Sequence, residues 1–224
     1  MARIFVTGME GLIGQGVRDA LESLDHTVLG CDLRSLCETK KFDLRNADKL
    51  RSALAECDGV LHLGALSRVI WGEMHPALCH SINVGGVITL TKVISEMPRK
   101  IWLIFASSRE IYGTPSKLPC TSDMSPHPEN LYAHTKMVGE NMVWDMRCRG
   151  FCVAVIRLSN VFGTANDYHD RVVPAFAKAA AHGGVLHIRG ADSALDFTPL
   201  EDAVNAIVRV VQLIDGGVFD LPAD

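Results

Sequence analysis

A tyrosine and a lysine four residues apart could carry out acid–base chemistry in this chain. Tyr132 and Lys136 lie in a segment, 131–149, whose apolar residues recur at helical spacing, so both side chains are expected on one helix face. A nearby ammonium lowers the pKa of a phenol, which predicts a phenolate that acts as a general base near neutral pH. Ser107 and Ser108 end an upstream apolar run, where ligands bind in open α/β sheets.

Three glycines near the start of the chain could cradle a dinucleotide. Gly8, Gly11 and Gly14 follow a short apolar run and precede a segment with helical periodicity. In such a strand–loop–helix unit, the first glycine permits the tight turn, the second lets the backbone approach a pyrophosphate, and the third allows close helix packing. The helix N-terminus, with Leu12 and Ile13, offers free N–H groups to the phosphates.

A carboxylate at the end of the second predicted strand indicates which dinucleotide is preferred. Asp32 can accept hydrogen bonds from the adenosine ribose hydroxyls and would repel a 2′-phosphate, which favours NAD over NADP. Arg34 could instead receive a 2′-phosphate, so NADP stays open as the less favoured cofactor. Asp43 and Leu44 are candidates for contact with the adenine.

Short apolar runs alternate with helix-period segments in βαβαβ order. This order predicts an α/β fold, a Rossmann-like, doubly wound parallel sheet with helices on both faces and a small C-terminal substrate lobe. Strands are expected at 4–6, 27–31, 60–63, 101–106 and 153–158, and helices at 17–24, 50–57, 76–94 and 131–149. We divide the chain into a dinucleotide-binding domain with the catalytic residues, 1–163, and a reduced substrate lobe with returning Rossmann elements, 164–224. In that second part, helices are expected at 171–181 and 201–214 and short strands at 185–188 and 218–221.

The composition argues against several other classes of protein. With 48% hydrophobic and 21% charged residues, the chain has the balance of a folded soluble protein. A net charge of −4 gives no basic surface for nucleic acid, and the apolar runs are too short or interrupted to span a membrane. Seven cysteines without a CxxC pair predict reduced thiols in a cytoplasmic protein, and the scattered histidines predict no metal site.

Seven motifs together resemble the extended short-chain dehydrogenase/reductase superfamily, specifically its NAD-dependent epimerase/dehydratase family of nucleotide-sugar enzymes. They follow the family's order along most of the chain. Residues 7–14 resemble TGxxGxxG, 61–65 resemble HLAA, 83–86 resemble NxxGT, 107–113 resemble SSxxVYG, 132–136 resemble YxxxK, 157–163 resemble RxxNVYG, and 196–202 resemble the end of RDFxHVxD.

The resemblance implies roles for the residues that match these motifs. Ser108 would bond the substrate oxygen that is oxidised, Tyr132 would take its proton, and Lys136 would hold the nicotinamide ribose. The first step would oxidise the sugar to a keto sugar; an epimerase then returns the hydride to the other face, whereas a dehydratase first eliminates water. The resemblance also implies cofactor contacts at Leu63, Gly64, Ala65 and Asn83 and substrate contacts at Ser107, Ser108 and Asn160.

Departures from the family pattern keep alternatives open. Arg109 and Glu110 stand where dehydratases typically carry Asp-Glu or Ser-Glu, so Glu110 is a candidate catalytic acid/base or a glutamate paired with Arg109. Leu195 and Pro199 replace the arginine and histidine of the RDFxHVxD segment, and that arginine helps to bind the substrate diphosphate. A simple NAD-dependent sugar or sugar-acid dehydrogenase is therefore the first alternative, and a non-catalytic NAD(P)-binding sensor is the second.

The segment 131–149 also bears on assembly. Its apolar side chains, among them Met137, Met142, Trp144 and Met146, spread around more than one narrow stripe. Members of the family commonly dimerise by pairing this helix with its neighbour across a two-fold axis. We therefore expect a homodimer, with an entirely intramolecular core as the alternative.

Overall fold

Five apolar runs form a parallel sheet at the centre of the computed structural model, which describes residues 1–164, 167–186, 188 and 194–217. The strands are β1 (Arg3–Thr7), β2 (Thr27–Cys31), β3 (Gly59–His62), β4 (Trp102–Ser108) and β5 (Val153–Leu158). Their order is β2-β1-β3-β4-β5, and all neighbours are parallel. Because Thr7 pairs with both Cys31 and His62, the carboxyl ends of β1, β2 and β3 meet at one edge.

Helices cover both faces of this sheet. The helices that pack on it are α1 (Leu12–Ser23), α2 (Ala47–Leu54), α4 (Pro76–Glu96), α5 (Leu131–Cys148) and α7 (Leu200–Asp215). Two further helices, α3 (Val69–Met74) and α6 (Val172–His182), contribute no residue to either core cluster and line the cavity described below. Side chains alternate along each strand, so Phe5 packs in one core cluster with residues of α2, α4 and α5. Ile4 and Val6 pack in a second cluster with residues of α1 and α7. The fold class predicted from the sequence is confirmed.

Helix α4 owes its apolar character to the core. Among the described residues it is the one helix long and apolar enough to cross a membrane, and 44% of its apolar window is buried. It contributes Val87, Leu90, Val93 and Ile94 to the core cluster beneath α2 and α5. A buried core helix passes the same test of length and composition, so α4 gives no argument for a membrane span.

The part of the chain after β5 contains a small second sheet. Its strands, β6 (Asn160–Phe162) and β7 (Phe197–Pro199), are parallel and were not predicted from the sequence. The strand predicted at 185–188 is wrong for its described residues: Val185, Leu186 and Ile188 are not in a strand, and all three are exposed. Their β-branched and apolar character favours a strand, but a strand needs a neighbouring edge. The strand predicted at 218–221 lies outside the described residues.

Candidate active site

The glycine loop between β1 and α1 is packed too tightly for side chains. Gly8 has φ +70°, and a Cβ there would lie 2.8 Å from the Cα of Gly64. A Cβ on Gly14 would lie 2.3 Å from the carbonyl oxygen of Gly8. The loop therefore lies directly against α1 and against the segment that follows β3, and its backbone faces the cavity.

A buried histidine joins the two loops at this edge of the sheet. The hydroxyl of Thr7 accepts a hydrogen bond of 2.9 Å from the backbone N–H of Gly64 and lies 2.6 Å from Nδ1 of His62. Burial, and then the charge of Lys136, lower the pKa of His62 to about 3, so the ring is neutral and Nδ1 can accept the Thr7 proton. Sequence reasoning missed this role for Thr7 and His62, although both lie in motifs that it identified.

Asp32 is held at the end of β2 by backbone donors. Its carboxylate accepts hydrogen bonds from the backbone N–H of Glu10 at 3.1 Å and of Arg34 at 2.8 Å. The Arg34 side chain pairs with the same carboxylate at 3.4 Å and is more than half exposed. Asp43 lines the same cavity, and its carboxylate binds Arg45, which lowers the pKa of Asp43.

Tyr132 and Lys136 lie at the start of α5, beside the end of β4. Asn130 caps this helix by accepting a hydrogen bond from the N–H of Ala133 at 2.8 Å. The Lys136 ammonium donates a 2.7 Å hydrogen bond to the carbonyl of Ala106 and lies 5.8 Å from the centre of the Tyr132 ring. The i, i+4 spacing therefore places both groups on one face, as predicted.

The pKa expected for Tyr132 is wrong in direction. Burial raises the pKa of Tyr132 to about 12, and a hydrogen bond with Ser108 opposes this rise. Burial also lowers the pKa of Lys136 to about 8. The sequence could not show that the ammonium is bonded to a backbone carbonyl, in a buried site where both charged forms are disfavoured.

The two serines at the end of β4 differ in their contacts. The Ser108 hydroxyl accepts a 3.2 Å hydrogen bond from the N–H of Glu110 and lies beside Tyr132. The Ser107 hydroxyl is buried, lines the cavity and has no partner within the described part of the chain. A buried hydroxyl without a partner is costly, so it indicates a ligand that supplies the missing hydrogen bond.

Both carboxylate oxygens of Glu110 are engaged. One pairs with Arg109 at 2.8 Å, and the other accepts a 2.9 Å hydrogen bond from the side-chain amide of Asn130. Because Asn130 caps α5, Glu110 supports the start of the helix that carries Tyr132. Glu110 also lines the cavity, within reach of a ligand.

Two predicted contact residues serve mainly to hold the backbone. The Asn83 side chain bonds both the N–H and the carbonyl of Leu66, at 2.8 and 3.2 Å, and does not line the cavity. Asn160 does line the cavity, but its amide donates to the carbonyl of Asp196 at 2.9 Å. Arg157, another motif residue, binds Glu140 through two hydrogen bonds and is structural.

One cavity of about 910 Å³ brings the remaining site residues together. It is lined by the glycine loop with Leu12 and Ile13, by Asp32, Asp43 and Leu44, by Leu63, Gly64 and Ala65, and by Ser107, Ser108, Tyr132 and Lys136. This volume is in the range of sites for small molecules and cofactors. The glycine cradle and the unpartnered Ser107 hydroxyl fit a dinucleotide that extends from Asp32 to Tyr132.

A second group of cavity residues could not be predicted from the sequence. Arg68 precedes α3 and binds Asp170 through two hydrogen bonds of 2.6 and 2.7 Å. Trp71 and Tyr168 meet edge to face with their ring centres 5.1 Å apart. Helix α3 has only six residues, too few for a recognisable helical period, and the contact joins residues 102 positions apart.

Comparison with known proteins gives the family. UDP-glucose 4-epimerase of Lactobacillus helveticus is 33% identical over 175 residues, which cover 73% of this chain and 52% of that protein. The structure of UDP-N-acetylglucosamine 4-epimerase from Methanobrevibacter ruminantium M1, in complex with UDP-N-acetylmuramic acid, superposes with a TM-score of 0.82 at 26% identity, over 92% of this chain and 72% of that one. The NAD complex of UDP-glucose 4-epimerase from Brucella ovis has the same fold, with a TM-score of 0.86 at 24% identity over 97% of this chain and 75% of that one.

The chain spans about half the length of its Lactobacillus helveticus relative. The family model itself is matched from residue 4 to residue 220, which includes the glycine loop, the two serines and the Tyr132–Lys136 pair. The chain therefore belongs to the NAD dependent epimerase/dehydratase family.

Proposed function

We propose that the chain binds NAD and oxidises a sugar hydroxyl to a ketone as the first step of an epimerisation or a dehydration. The observation that carries this proposal is the single cavity shared by the glycine loop, Asp32, Ser108, Tyr132 and Lys136. Membership of the family supports the cofactor, and the similarity to a UDP-glucose 4-epimerase supports a nucleotide sugar as the substrate.

The residues that would hold NAD follow the length of the cavity. The N–H groups at the start of α1 would receive the pyrophosphate, and the Asp32 carboxylate would accept hydrogen bonds from the adenosine ribose. Lys136 would hold the nicotinamide ribose, and the Ser107 hydroxyl would gain the partner that it lacks. When bound, oxidised NAD accepts the hydride and brings a positive charge to this end of the cavity.

The oxidation needs one proton acceptor and one group that orients the substrate hydroxyl. Ser108 would hydrogen-bond the oxygen that becomes the ketone, and the Tyr132 phenolate would take the proton from that oxygen. The hydrogen on the same carbon would leave as the hydride. Because burial raises the pKa of Tyr132, its phenolate must be stabilised in the loaded site, by Ser108 and by the positive charge there.

A simple sugar or sugar-acid dehydrogenase is the second candidate. The observation that favours it is Leu195, an apolar residue in the cavity wall that replaces the arginine of the family's RDFxHVxD segment. Incubation of the purified protein with a panel of nucleotide sugars and free sugar acids separates the candidates. A product of unchanged mass indicates epimerisation, loss of water indicates dehydration, and stoichiometric NADH indicates net oxidation, whereas no conversion of any member would contradict the proposal.

We expect the protein to bind NAD more tightly than NADP. The Asp32 carboxylate is fixed by two backbone donors and would repel a 2′-phosphate. Asp32→Ala should lower the preference for NAD by about 10- to 100-fold, since charge-assisted hydrogen bonds contribute about 1.5–3 kcal/mol each. Calorimetric titration with both cofactors measures this ratio, with Asp48→Ala, an exposed carboxylate that does not line the cavity, as the matched control. Equal or tighter binding of NADP by the unaltered protein would instead make Arg34 the determinant.

Replacement of Glu110 distinguishes dehydration from epimerisation. A dehydratase needs an acid/base besides Tyr132, and Glu110 is our candidate for it. In a dehydratase, Glu110→Gln should still oxidise the substrate and accumulate the keto sugar with bound NADH. In this protein Arg109 and Asn130 occupy both carboxylate oxygens of Glu110. We therefore expect Glu110→Gln to lower turnover by less than about tenfold, without accumulation of the keto sugar or of bound NADH. Rapid-quench product analysis together with NADH absorbance tests this expectation.

We also propose that the chain forms a homodimer through α4 and α5. These two helices pack together, and each exposes a large apolar side chain, Ile88 on α4 and Trp144 on α5. Light scattering at micromolar concentration should give twice the 24.4 kDa mass of one chain. Trp144→Glu should shift the protein toward monomer because it buries a charge in the interface. A 24.4 kDa species for the unaltered protein would contradict the proposal.

A further inference from the structure

The arginines of the cavity differ in how firmly their partners are held. Four of the described cavity residues are arginines, and each pairs with a carboxylate. The side chains that pair with Arg34 and Arg171 are 7% and 2% exposed, and the one that pairs with Arg109 is 24% exposed. Asp170, the partner of Arg68, is 66% exposed. Arg68 is thus the cavity arginine whose partner can leave for water at the lowest cost.

The Arg68 guanidinium is held in place by more than its carboxylate partner. It lies 5.5 Å from the ring centre of Trp71 and 4.9 Å from that of Tyr168. Its side chain is only 16% exposed. A guanidinium stacked on aromatic rings keeps its orientation when a hydrogen-bonded partner is exchanged, so its two parallel donors remain available for another oxyanion.

Arg68 lies close to the proposed reaction centre. Its carbonyl accepts the hydrogen bond of the Gly72 N–H, one helical turn further along α3. Gly72 packs on Tyr132, where a Cβ added to the glycine would lie 3.7 Å from the Tyr132 Cβ. Glu73 accepts a hydrogen bond from the N–H of Leu131 and fixes α3 to the start of α5. Arg68 lies one helical turn from this contact and lines the same cavity as Tyr132, so one substrate can contact both side chains.

We propose that Arg68 binds an anionic group of the substrate, a carboxylate or a phosphate, and that Asp170 occupies the same two donors until the substrate displaces it. This proposal rests on the proposed function, because it places the substrate in the cavity at Tyr132. The exchange replaces one oxyanion by another on an unchanged cation, so the partly buried guanidinium never loses its counter-charge. A neutral sugar offers no such replacement and is disfavoured.

Binding of three probes to the NAD-loaded protein tests this proposal. Calorimetric titration would use UDP for a diphosphate, glucuronate for a carboxylate, and glucose as the neutral sugar. Arg68→Gln should weaken binding of one or both anions by about 10- to 100-fold and leave glucose binding unchanged. Arg68→Lys keeps the charge without the two parallel donors, so its affinity for the anions should lie between that of the unaltered protein and that of Arg68→Gln. Whichever anion loses more affinity identifies the source of the charged group.

Asp170→Asn is an independent test, because this substitution should strengthen anion binding where Arg68→Gln weakens it. Removing the competing carboxylate should tighten binding of the same anion by up to about fivefold, the value of an exposed ion pair. Arg18→Gln and Asp19→Asn are matched controls, since these residues form an exposed pair that does not line the cavity. Neither control should change the affinity for any probe.

Several results would overturn the proposal. These are an anion affinity unchanged in Arg68→Gln, an equal loss for glucose, weaker anion binding in Asp170→Asn, or no binding of either anion to the unaltered protein below about 10 mM. Failure of the proposed function would look different, because no sugar of the panel would be turned over while the anion titrations still depended on Arg68. Melting curves with and without NAD identify any variant that fails to fold, and Asp170→Asn then still tests the proposal.

Discussion

Tyr132→Phe should lower turnover by about 10²- to 10⁴-fold, the usual contribution of general acid–base catalysis. The substitution removes only the phenol oxygen that would take the substrate proton. The ring stays, and with it the packing of a side chain that is 8% exposed. The affinity for NAD should therefore stay within a few-fold of the unaltered protein. Single-turnover measurement of NADH absorbance, with calorimetry for the cofactor, checks both parts.

Tyr112→Phe is a matched control for this substitution. The Tyr112 hydroxyl accepts a 2.6 Å hydrogen bond from Arg157 and does not line the cavity. Loss of this hydroxyl should lower the free energy of unfolding but change turnover by less than about tenfold, because no substrate proton passes through the Tyr112 oxygen. Near-normal turnover of Tyr132→Phe on the true substrate would show that another group is the base. A similar loss in both variants would point to disturbed folding.

The sheet was predictable because its strands are buried on both faces. Ile4, Phe5 and Val6 form an apolar run with no polar alternation, and each lies in one of the two core clusters. The same logic located β4, where the run ends in two serines at the carboxyl edge. Parallel strands place all such ends together, so the glycine loop, Asp32 and Ser108 converge without any detailed knowledge of the loops.

The interactions that the sequence did not reveal depend on contacts between distant segments. Arg68 and Asp170 have no local pattern, and their pairing exists only because α3 and the segment before α6 meet over the cavity. The direction of the Tyr132 pKa was missed for a similar reason. The spacing fixed which face carries Lys136, but not that its ammonium is bonded to the carbonyl of Ala106 in a buried site. Local periodicity predicts faces, whereas burial and partners come from the tertiary structure.

Gly14→Ala should weaken NAD binding, because the added methyl group has no space. Its Cβ would lie 2.3 Å from the carbonyl oxygen of Gly8 and 2.8 Å from the Cα of Met9. These are backbone atoms, so the loop itself must move away from α1, at a cost of about 1–3 kcal/mol, the range for overpacking. A displaced loop no longer directs its N–H groups at the pyrophosphate, and the affinity for NAD should fall by more than about tenfold.

Gly85→Ala separates this steric effect from a general response to glycine replacement. Gly85 also lies in a helix, α4, but an added Cβ would only approach the Arg45 side chain, at 3.7 Å. Alanine should therefore stabilise the chain by about 0.5–1 kcal/mol through its better helix propensity and leave NAD binding unchanged. Urea unfolding and calorimetry measure the two quantities for each variant. Normal NAD binding by Gly14→Ala would show that the pyrophosphate does not depend on the close packing of this loop, because a loop forced out of place cannot present the same row of N–H groups.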